Sequence, residues 1–292
     1  MLSIGLLSAL LLQESPQKAR AYDPCLAAGV RDTVVFLGTR RTPEGQAESK
    51  LQFFGTGFLI AIDKITYLFT AEHVVRDFLD NRKTSEPFLA AANLKSGSMV
   101  IQPLDELKKQ FGVGWNLNKE LDVAATPFPT RADYQTKTLP IEFFAADDQL
   151  AELQDVFFIS FHPGLEAPDR IRPIVRSGMI ALAERGEIRL DAFVFPGNSG
   201  SPVFVRAATS SAGPSGISLG ISPLSCKFIG LVKSYLPYQE VAISEQTKRP
   251  RVVFEENSGL AQIATADQLK AFINSTEFQA QHARLLKSER PR

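Results

Sequence analysis

Runs of apolar, β-branched and aromatic residues recur along this chain, and segments rich in turn-forming residues separate them. Such runs are typical of β-strands. Helical periodicity is scarce, which argues against a parallel sheet built from alternating strands and helices. The sequence therefore predicts an all-β protein. Its clearest strand candidates are residues 33–39, 53–62, 65–71, 155–161, 228–235 and 251–255.

Helical signals are concentrated near the C-terminus. Residues 266–272 read ADQLKAF, with Thr265 as a candidate N-cap and Asp267 in the first turn. We expect this helix to continue to about Lys287. Two long polar segments, residues 78–98 and 207–225, are predicted to be loops that can shape a cleft.

The charge balance bears on possible partners. The chain has 292 residues with 32 Lys and Arg against 32 Asp and Glu, so its formal net charge is zero. Nucleic-acid binding depends on a basic surface that neutralises phosphates, so nucleic acid is not expected as a partner. The length is sufficient for a sizeable core, in one large β domain or two smaller ones.

The N-terminus predicts export. Residues 1–12 are apolar but too short to span a bilayer, and the polar segment after them ends Ala-Arg-Ala, similar to a signal-peptidase site. We predict residues 1–21 to be a signal peptide and the protein to be periplasmic or extracellular; the alternatives are an uncleaved, membrane-associated N-terminus and a cytoplasmic protein. No stable membrane span is expected. Cys25 and Cys226 could pair in an oxidising compartment or remain unpaired and buried.

The segment FVFPGNSGSPVFV, residues 193–205, brackets Ser199 with glycines and an asparagine inside an apolar run. The turn could serve chain reversal alone. It could also expose the Ser199 hydroxyl as a nucleophile, with nearby amide N–H groups free to bind an oxyanion. The sequence has three histidines that could take the serine proton.

His73 is the best candidate among them, because it follows the apolar run at 65–71 at the start of a short predicted helix. His162 lies in a Pro-Gly turn and His282 in the charged tail, and both are expected at the surface. Asp122 opens the apolar run DVAATPF, where its carboxylate could orient an imidazole.

The three candidates carry a family resemblance. TAEH at 70–73, ELDVA at 120–124 and GNSGSP at 197–202 resemble, in motif, order and spacing, the trypsin/chymotrypsin-like serine proteases. The style of the motifs is closest to the bacterial HtrA-type members, without their PDZ domain. Supporting segments are GTGF at 55–58, VRSGMI at 175–180 and NSGL at 257–260.

The resemblance implies two six-stranded antiparallel β-barrels, residues 28–137 and 138–264, followed by a C-terminal helix and charged tail at 265–292. It implies a serine endopeptidase acting on peptides or proteins. The sequence has no Cys/His/Asp cluster with metal-ligand spacing and no Gly-rich phosphate loop, so no cofactor is expected. By this resemblance His73 is the general base and acid, Asp122 orients it, and Ser199 is the nucleophile. The N–H groups of Gly197 and Ser199 would form the oxyanion hole.

The resemblance also suggests a substrate pocket. Phe193 and Val194 would form its base, and Lys233 and Ser234 would lie on the strand behind the substrate. Because this set holds no carboxylate, we expect a preference for small or medium apolar side chains. Asn198 replaces the aspartate that pairs with a freshly cut N-terminus in digestive members, so activity is expected without activation cleavage.

Two other interpretations remain. A catalytically inactive trypsin-like fold could serve as a peptide-binding module. An α/β-hydrolase is the other, because Ser199, Asp267 and His282 follow one another in the order in which that fold carries its nucleophile, acid and histidine. However, Ser201 replaces the final glycine of its G-x-S-x-G turn, and the alternation of strands and helices is missing. The sequence does not indicate an oligomeric state.

Overall fold

The structure, a computed structural model, describes residues 29–42, 45, 48–81, 86–206, 210–213, 216–219 and 226–288, together with Cys25. The predicted signal peptide lies outside these residues. Antiparallel strands dominate and form two large sheets and a separate two-stranded hairpin, so the all-β prediction is confirmed. None of the helices in the described ranges is both long and apolar enough to cross a bilayer.

The strands of the first half are β1 Val34–Arg41, β2 Lys50–Ile62, β3 Ile65–Thr70, β4 Leu89–Asn93, β5 Met99–Pro103, β6 Asn116–Asn118, β7 Val123–Pro127 and β8 Leu139–Pro140. Those of the second half are β9 Asp155–Ser160, β10 Ile174–Glu184, β11 Glu187–Asp191, β12 Pro202–Val205, β13 Ser210–Gly213, β14 Gly216–Leu219, β15 Phe228–Ile243 and β16 Pro250–Thr265. The helices are α1 Glu72–Asn81, α2 Leu107–Phe111, α3 Ala266–Ile273 and α4 Thr276–Ser288, with short 3-10 turns at Val30–Thr33, Ile141–Phe143 and Asp147–Gln149.

The two halves close differently. In the second half β10, β11, β16, β15, β12 and β9 form a closed barrel of six strands, as the family resemblance predicts. The first half is an eight-stranded sheet in the order β5-β4-β1-β2-β3-β7-β6, with β8 pairing in parallel with β2. Its end strands β5 and β6 do not pair with each other, so this half departs from a six-stranded barrel.

The C-terminal helices pack against the first half although they follow the second half in sequence. The Phe69 ring of β3 lies 6.2 Å from the ring of Phe272 in α3. The Tyr67 ring, also on β3, lies 4.9 Å from that of Phe278 in α4. These rings belong to one core shared by the first sheet and the helices, which fixes the C-terminus on the sheet that carries α1.

The predicted N-cap is confirmed, because the Thr265 hydroxyl accepts a hydrogen bond from the Gln268 N–H at 3.3 Å. The helix does not continue to Lys287, however. It ends at Ile273, and a separate helix begins at Thr276. This break turns α4 back onto β3.

The break also buries His282, so its predicted surface position is wrong. His282 is only 4% exposed. Its Nδ1 lies 2.8 Å from the Tyr67 hydroxyl and its Nε2 lies 2.8 Å from a carboxylate oxygen of Asp63. Sequence reasoning treated the tail as a solvated helix and could not see that one of its faces packs on the sheet.

Cys25 and Cys226 form a disulfide across a sequence separation of 201 residues. It joins the segment before β1 to the residues just before β15. The sequence left open whether these two cysteines pair or remain unpaired, and the structure shows that they pair. The polar segments are also more structured than predicted, because 78–98 includes the end of α1 and all of β4, and 207–225 includes the β13–β14 hairpin.

β15 and β16 are much longer than the predicted strands and extend past the barrel as a hairpin. Their pairing continues from Pro237 opposite Asn257 to Ile243 opposite Pro250. Several large apolar side chains of this extension are exposed: Tyr238, Val241, Ile243, Val252, Val253 and Phe254. None of them belongs to either hydrophobic core.

Candidate active site

His73 is held at the start of α1, immediately after β3. The helix presents one apolar face to the core through Val74, Val75 and Phe78, which are all buried, as expected for residues spaced along one side of a helix. This packing fixes the first turn of the helix. The His73 side chain remains 29% exposed, so its ring can be reached from solvent.

Asp122 contacts His73 through three hydrogen-bonding distances. Its carboxylate oxygens lie 3.0 and 2.9 Å from His73 Nδ1, and Oδ1 also accepts from the His73 backbone N–H at 3.0 Å. Asp122 precedes β7 with φ of 56°, in the left-handed region. The Asn118 side chain stabilises this turn by accepting from the Leu121 N–H at 2.9 Å. Two residues 49 positions apart in sequence are thereby brought together.

Ser199 lies in a turn between β11 and β12, between two glycines of positive φ. Gly197 has φ of 94° and Gly200 has φ of 84°, values that glycine adopts without the strain other residues meet. Both also pack too closely for a side chain: a Cβ at Gly197 would overlap the Phe161 ring, and one at Gly200 would overlap the carbonyl oxygen of Thr56.

The amide groups of this turn divide into two sets. The N–H groups of Asn198, Gly200 and Ser201 donate to backbone carbonyl oxygens. In the part of the chain that the structure describes, the N–H groups of Gly197 and Ser199 have no such acceptor. These are the two donors that the sequence predicts for an oxyanion hole.

Asn198 anchors the turn from inside the protein, where it is fully buried. Its Nδ2 donates to the Phe161 carbonyl at 2.7 Å and to Ser160 Oγ at 3.1 Å. Its Oδ1 accepts from the Phe195 N–H at 2.9 Å. The amide therefore satisfies its hydrogen bonds within the second barrel and needs no charged partner.

Sequence reasoning missed the importance of Thr56. This buried residue of β2 donates its hydroxyl proton to the Gly197 carbonyl at 2.8 Å and accepts from the Phe161 N–H at 2.9 Å. Its own N–H donates to the Ser199 carbonyl at 3.1 Å. A polar residue between two glycines in an apolar strand was the available signal.

Ser199 and His73 line the same open cavity of about 340 Å³. Its lining also includes Gln52, Phe54 and Phe78. The Ser199 hydroxyl donates to the carbonyl oxygen of Lys233 on β15 at 3.1 Å. Within the described residues, no hydrogen bond joins Ser199 Oγ to His73.

The four residues predicted for a substrate pocket are placed differently from one another. The Phe193 side chain is 56% exposed and stacks on Phe195 with 6.4 Å between ring centroids. Val194 packs into the core of the second barrel. Lys233 is half-buried and contacts Ser199 through its carbonyl, and Ser234 is exposed beside it.

A positively charged side chain, that of Arg176, lies next to the Phe195 ring. The Arg176 guanidinium lies 5.0 Å from the centre of the Phe195 ring, within the range of a cation–π interaction. Partial burial lowers the pKa of Arg176. The His162 ring also lies near, with its centroid 6.1 Å from that of Phe195. Among the described residues no group of His, Cys, Asp and Glu side chains could hold a metal ion.

The family model of the trypsin-like peptidase domain matches residues 55–209, more than half of the 292-residue chain. The chain therefore belongs to this family of trypsin-like peptidase domains, and the family resemblance in the sequence is confirmed. A search of curated proteins finds no significant match.

Solved structures with a similar fold include one described as the HtrA-type protease AlgW with a decapeptide. It has 14% sequence identity to this chain and a TM-score of 0.48. The alignment covers 88% of this chain and 66% of that chain.

Proposed function

We propose that this protein is a serine endopeptidase in which Ser199 is the nucleophile, His73 the general base and acid, and Asp122 the group that orients the imidazole. The supporting observation is the contact of the Asp122 carboxylate with His73 Nδ1 at 2.9 Å, at the edge of a cavity that Ser199 also lines. With Nδ1 occupied, Nε2 is the ring nitrogen available for the serine proton.

In the proposed reaction His73 Nε2 removes the Ser199 hydroxyl proton while Oγ attacks the carbonyl carbon of the scissile peptide bond. The resulting imidazolium is stabilised by the adjacent carboxylate of Asp122. His73 then donates the proton to the leaving amine, and an acyl-enzyme remains on Ser199. Water hydrolyses this ester by the same proton transfers in the second half-reaction.

The oxyanion of the tetrahedral intermediate would be bound by the N–H groups of Gly197 and Ser199. Donors already directed at the developing charge lower the barrier, because little reorganisation is needed at the moment of reaction. The anchoring of this turn by Asn198 and Thr56 supports the proposal. It also supports activity without activation cleavage, since no new N-terminus is needed to hold the turn.

One observation favours the alternative of a peptide-binding module without catalysis. The Ser199 hydroxyl donates to the Lys233 carbonyl, so its O–H has to turn away from that carbonyl before it can donate to His73. Such a rotation between staggered positions is an ordinary side-chain motion. The two functions differ in whether the hydroxyl reacts.

The test is labelling of the intact protein with a fluorophosphonate, together with hydrolysis of a peptide library. We expect labelling and cleavage in the wild type, and a fall in kcat by about 10⁶-fold in Ser199→Ala. Asp122→Asn is expected to lower kcat by about 10⁴-fold, because the imidazole is then held in the wrong tautomer.

Ser201→Ala is the matched control, because the Ser201 hydroxyl is buried and makes no hydrogen bond within the described residues. It should keep both labelling and cleavage. A folded wild-type protein that binds peptides but is never labelled would establish the binding module instead. Cleavage that persists undiminished in Ser199→Ala would exclude Ser199 as the nucleophile.

We propose a preference for small or medium apolar side chains, supported by the absence of a carboxylate among Phe193, Val194, Lys233 and Ser234. We also propose that the protein works in an oxidising compartment outside the cytoplasm, which the Cys25–Cys226 disulfide supports.

A further inference from the structure

A second cavity, of about 400 Å³, lies at the junction of the two halves. Its walls come from the start of β1, the end of β4, the segment before β8, and the segment between β9 and β10. It shares no lining residue with the cavity of His73 and Ser199. The family resemblance assigns nothing to it.

The charge of this cavity is unbalanced. Its lining residues include three arginines, Arg31, Arg170 and Arg172, whose side chains are exposed, and a single acidic residue, Asp32. Among the described residues, no carboxylate lies within ion-pair distance of any of these three arginines. Because arginine stays protonated at every physiological pH, three positive charges against one negative charge leave an excess of two.

The wall that carries two of these arginines is fixed by side-chain hydrogen bonds. Asn93 at the end of β4 accepts from the Ile171 N–H at 2.9 Å and donates to the Ile171 carbonyl at 3.1 Å. Ile171 is buried, at 3% exposure. Arg170 and Arg172 flank it and line the cavity from an anchored segment of chain.

The segment before β8 is held by backbone hydrogen bonds. The Gln135 N–H donates to the Asn93 carbonyl at 2.8 Å, and the Lys137 N–H donates to the Asp32 carbonyl at 2.9 Å. The Gln135 side chain donates to the Asp32 carboxylate at 3.4 Å. Thr136, between these residues, also lines the cavity and adds a hydroxyl group.

We propose that this cavity binds a phosphate group, either as inorganic phosphate or as the terminal group of a phosphomonoester. A phosphate carries about two negative charges at neutral pH, which matches the excess of two positive charges. Guanidinium groups bind phosphate oxygens in pairs of parallel hydrogen bonds, and the Gln135 and Thr136 side chains supply further donors. The occupant bridges the two halves through Arg31 on one side and Arg170 and Arg172 on the other.

The experiment is isothermal titration calorimetry of the full-length Ser199→Ala protein, which prevents self-cleavage, at constant ionic strength. The ligands are inorganic phosphate, phenyl phosphate and the dicarboxylate succinate. We expect one saturable site for phosphate or phenyl phosphate and at least about tenfold weaker binding of succinate. Tighter binding of phenyl phosphate than of phosphate would identify an organic phosphate as the occupant, and the reverse order the free anion.

Arg170→Ala/Arg172→Ala in the same background is expected to weaken binding by at least about tenfold. Arg249→Ala/Arg251→Ala, which removes two exposed arginines of the hairpin, is the matched control and should bind as the parent does. If the first variant does not fold, Arg170→Gln alone gives the same comparison. The proposal is overturned if no phosphate ligand binds saturably, if succinate binds equally well, or if binding survives the loss of Arg170 and Arg172.

Discussion

Thr56 joins the two halves of the molecule at the candidate active site. It lies on β2 of the first sheet, yet its hydroxyl and backbone bond to Gly197, Ser199 and Phe161 of the second half. Its carbonyl accepts from the Thr70 hydroxyl at 2.8 Å, three residues before His73. The hydroxyl and the backbone of this one residue thus hold the serine turn against the sheet that carries the histidine.

Thr56→Val keeps the shape of this side chain and removes its hydroxyl. We expect a loss of about 1–3 kcal/mol in the free energy of unfolding, because the Gly197 carbonyl and the Phe161 N–H are left buried without their partner. Fluorophosphonate labelling should slow as well, since the turn loses an anchor. Thr56→Ser, which keeps the hydroxyl, should behave nearly as the wild type. Equal stability and labelling in Thr56→Val would show that the turn is held by other contacts.

At the scale of elements, α4 is attached to β3 through a polar contact inside an aromatic cluster. The Tyr67 hydroxyl bonds to His282, which also bonds to Asp63 at the β2–β3 turn. The rings of Tyr67 and Phe278 pack alongside. Burial, with a smaller contribution from the Asp63 charge, raises the pKa of Tyr67.

This raised pKa predicts alkaline destabilisation. Above about pH 10 the unfolded chain loses the Tyr67 proton while the folded protein keeps it. The unfolded state then binds fewer protons, so the free energy of unfolding falls as pH rises. Urea unfolding between pH 8 and 11 should show a smaller fall in Tyr67→Phe than in the wild type. The pKa values of Tyr134 and Tyr235 are also raised, so part of the fall remains. Parallel curves for the two proteins would contradict the prediction.

At the scale of the whole molecule, the Cys25–Cys226 disulfide ties the segment before the first sheet to the second barrel. A cross-link between residues so distant in sequence removes many conformations from the unfolded chain. The anchored serine turn and this bond join the halves at separate places.

We expect reduction of the disulfide, or Cys25→Ser/Cys226→Ser, to lower the free energy of unfolding by about 2–5 kcal/mol. Denaturant unfolding with and without dithiothreitol measures this loss. Dithiothreitol should have no effect on the double variant, which controls for other actions of the reagent. An unchanged midpoint in both proteins would show that the bond contributes nothing to stability.

The sequence predicts those features that depend on neighbours in the chain. The strand runs and the Thr265 cap are local, and the structure has them. The burial of His282 depends on α4 packing against β3, 215 positions away from Tyr67, and no local pattern indicates it. Of the long hairpin, the sequence predicts a strand only at residues 251–255. The facing segment around Tyr238 and Glu240 was missed because it does not alternate between apolar and polar residues as a half-buried strand would.

The candidate site shows the same division. The motifs around His73, Asp122 and Ser199 could be recognised in the sequence because each lies in a short stretch of characteristic composition. The contacts that hold those stretches relative to one another were not readable, because Thr56 meets Gly197 across 141 positions of sequence. The order of the strands in the first sheet also depends on contacts between distant residues. The sequence therefore could not predict that its end strands β5 and β6 remain unpaired with each other.

The hairpin formed by residues 237–243 and 250–257 supplies no side chain to either core. Its sequence is therefore released from the packing constraints that govern the barrel beneath it. We expect that this segment can be shortened or replaced while the rest of the chain folds as before, provided that Asn257, whose side chain donates to the Val194 carbonyl at 2.7 Å, is kept. It is the natural place to graft a tag or a new recognition surface onto this protein.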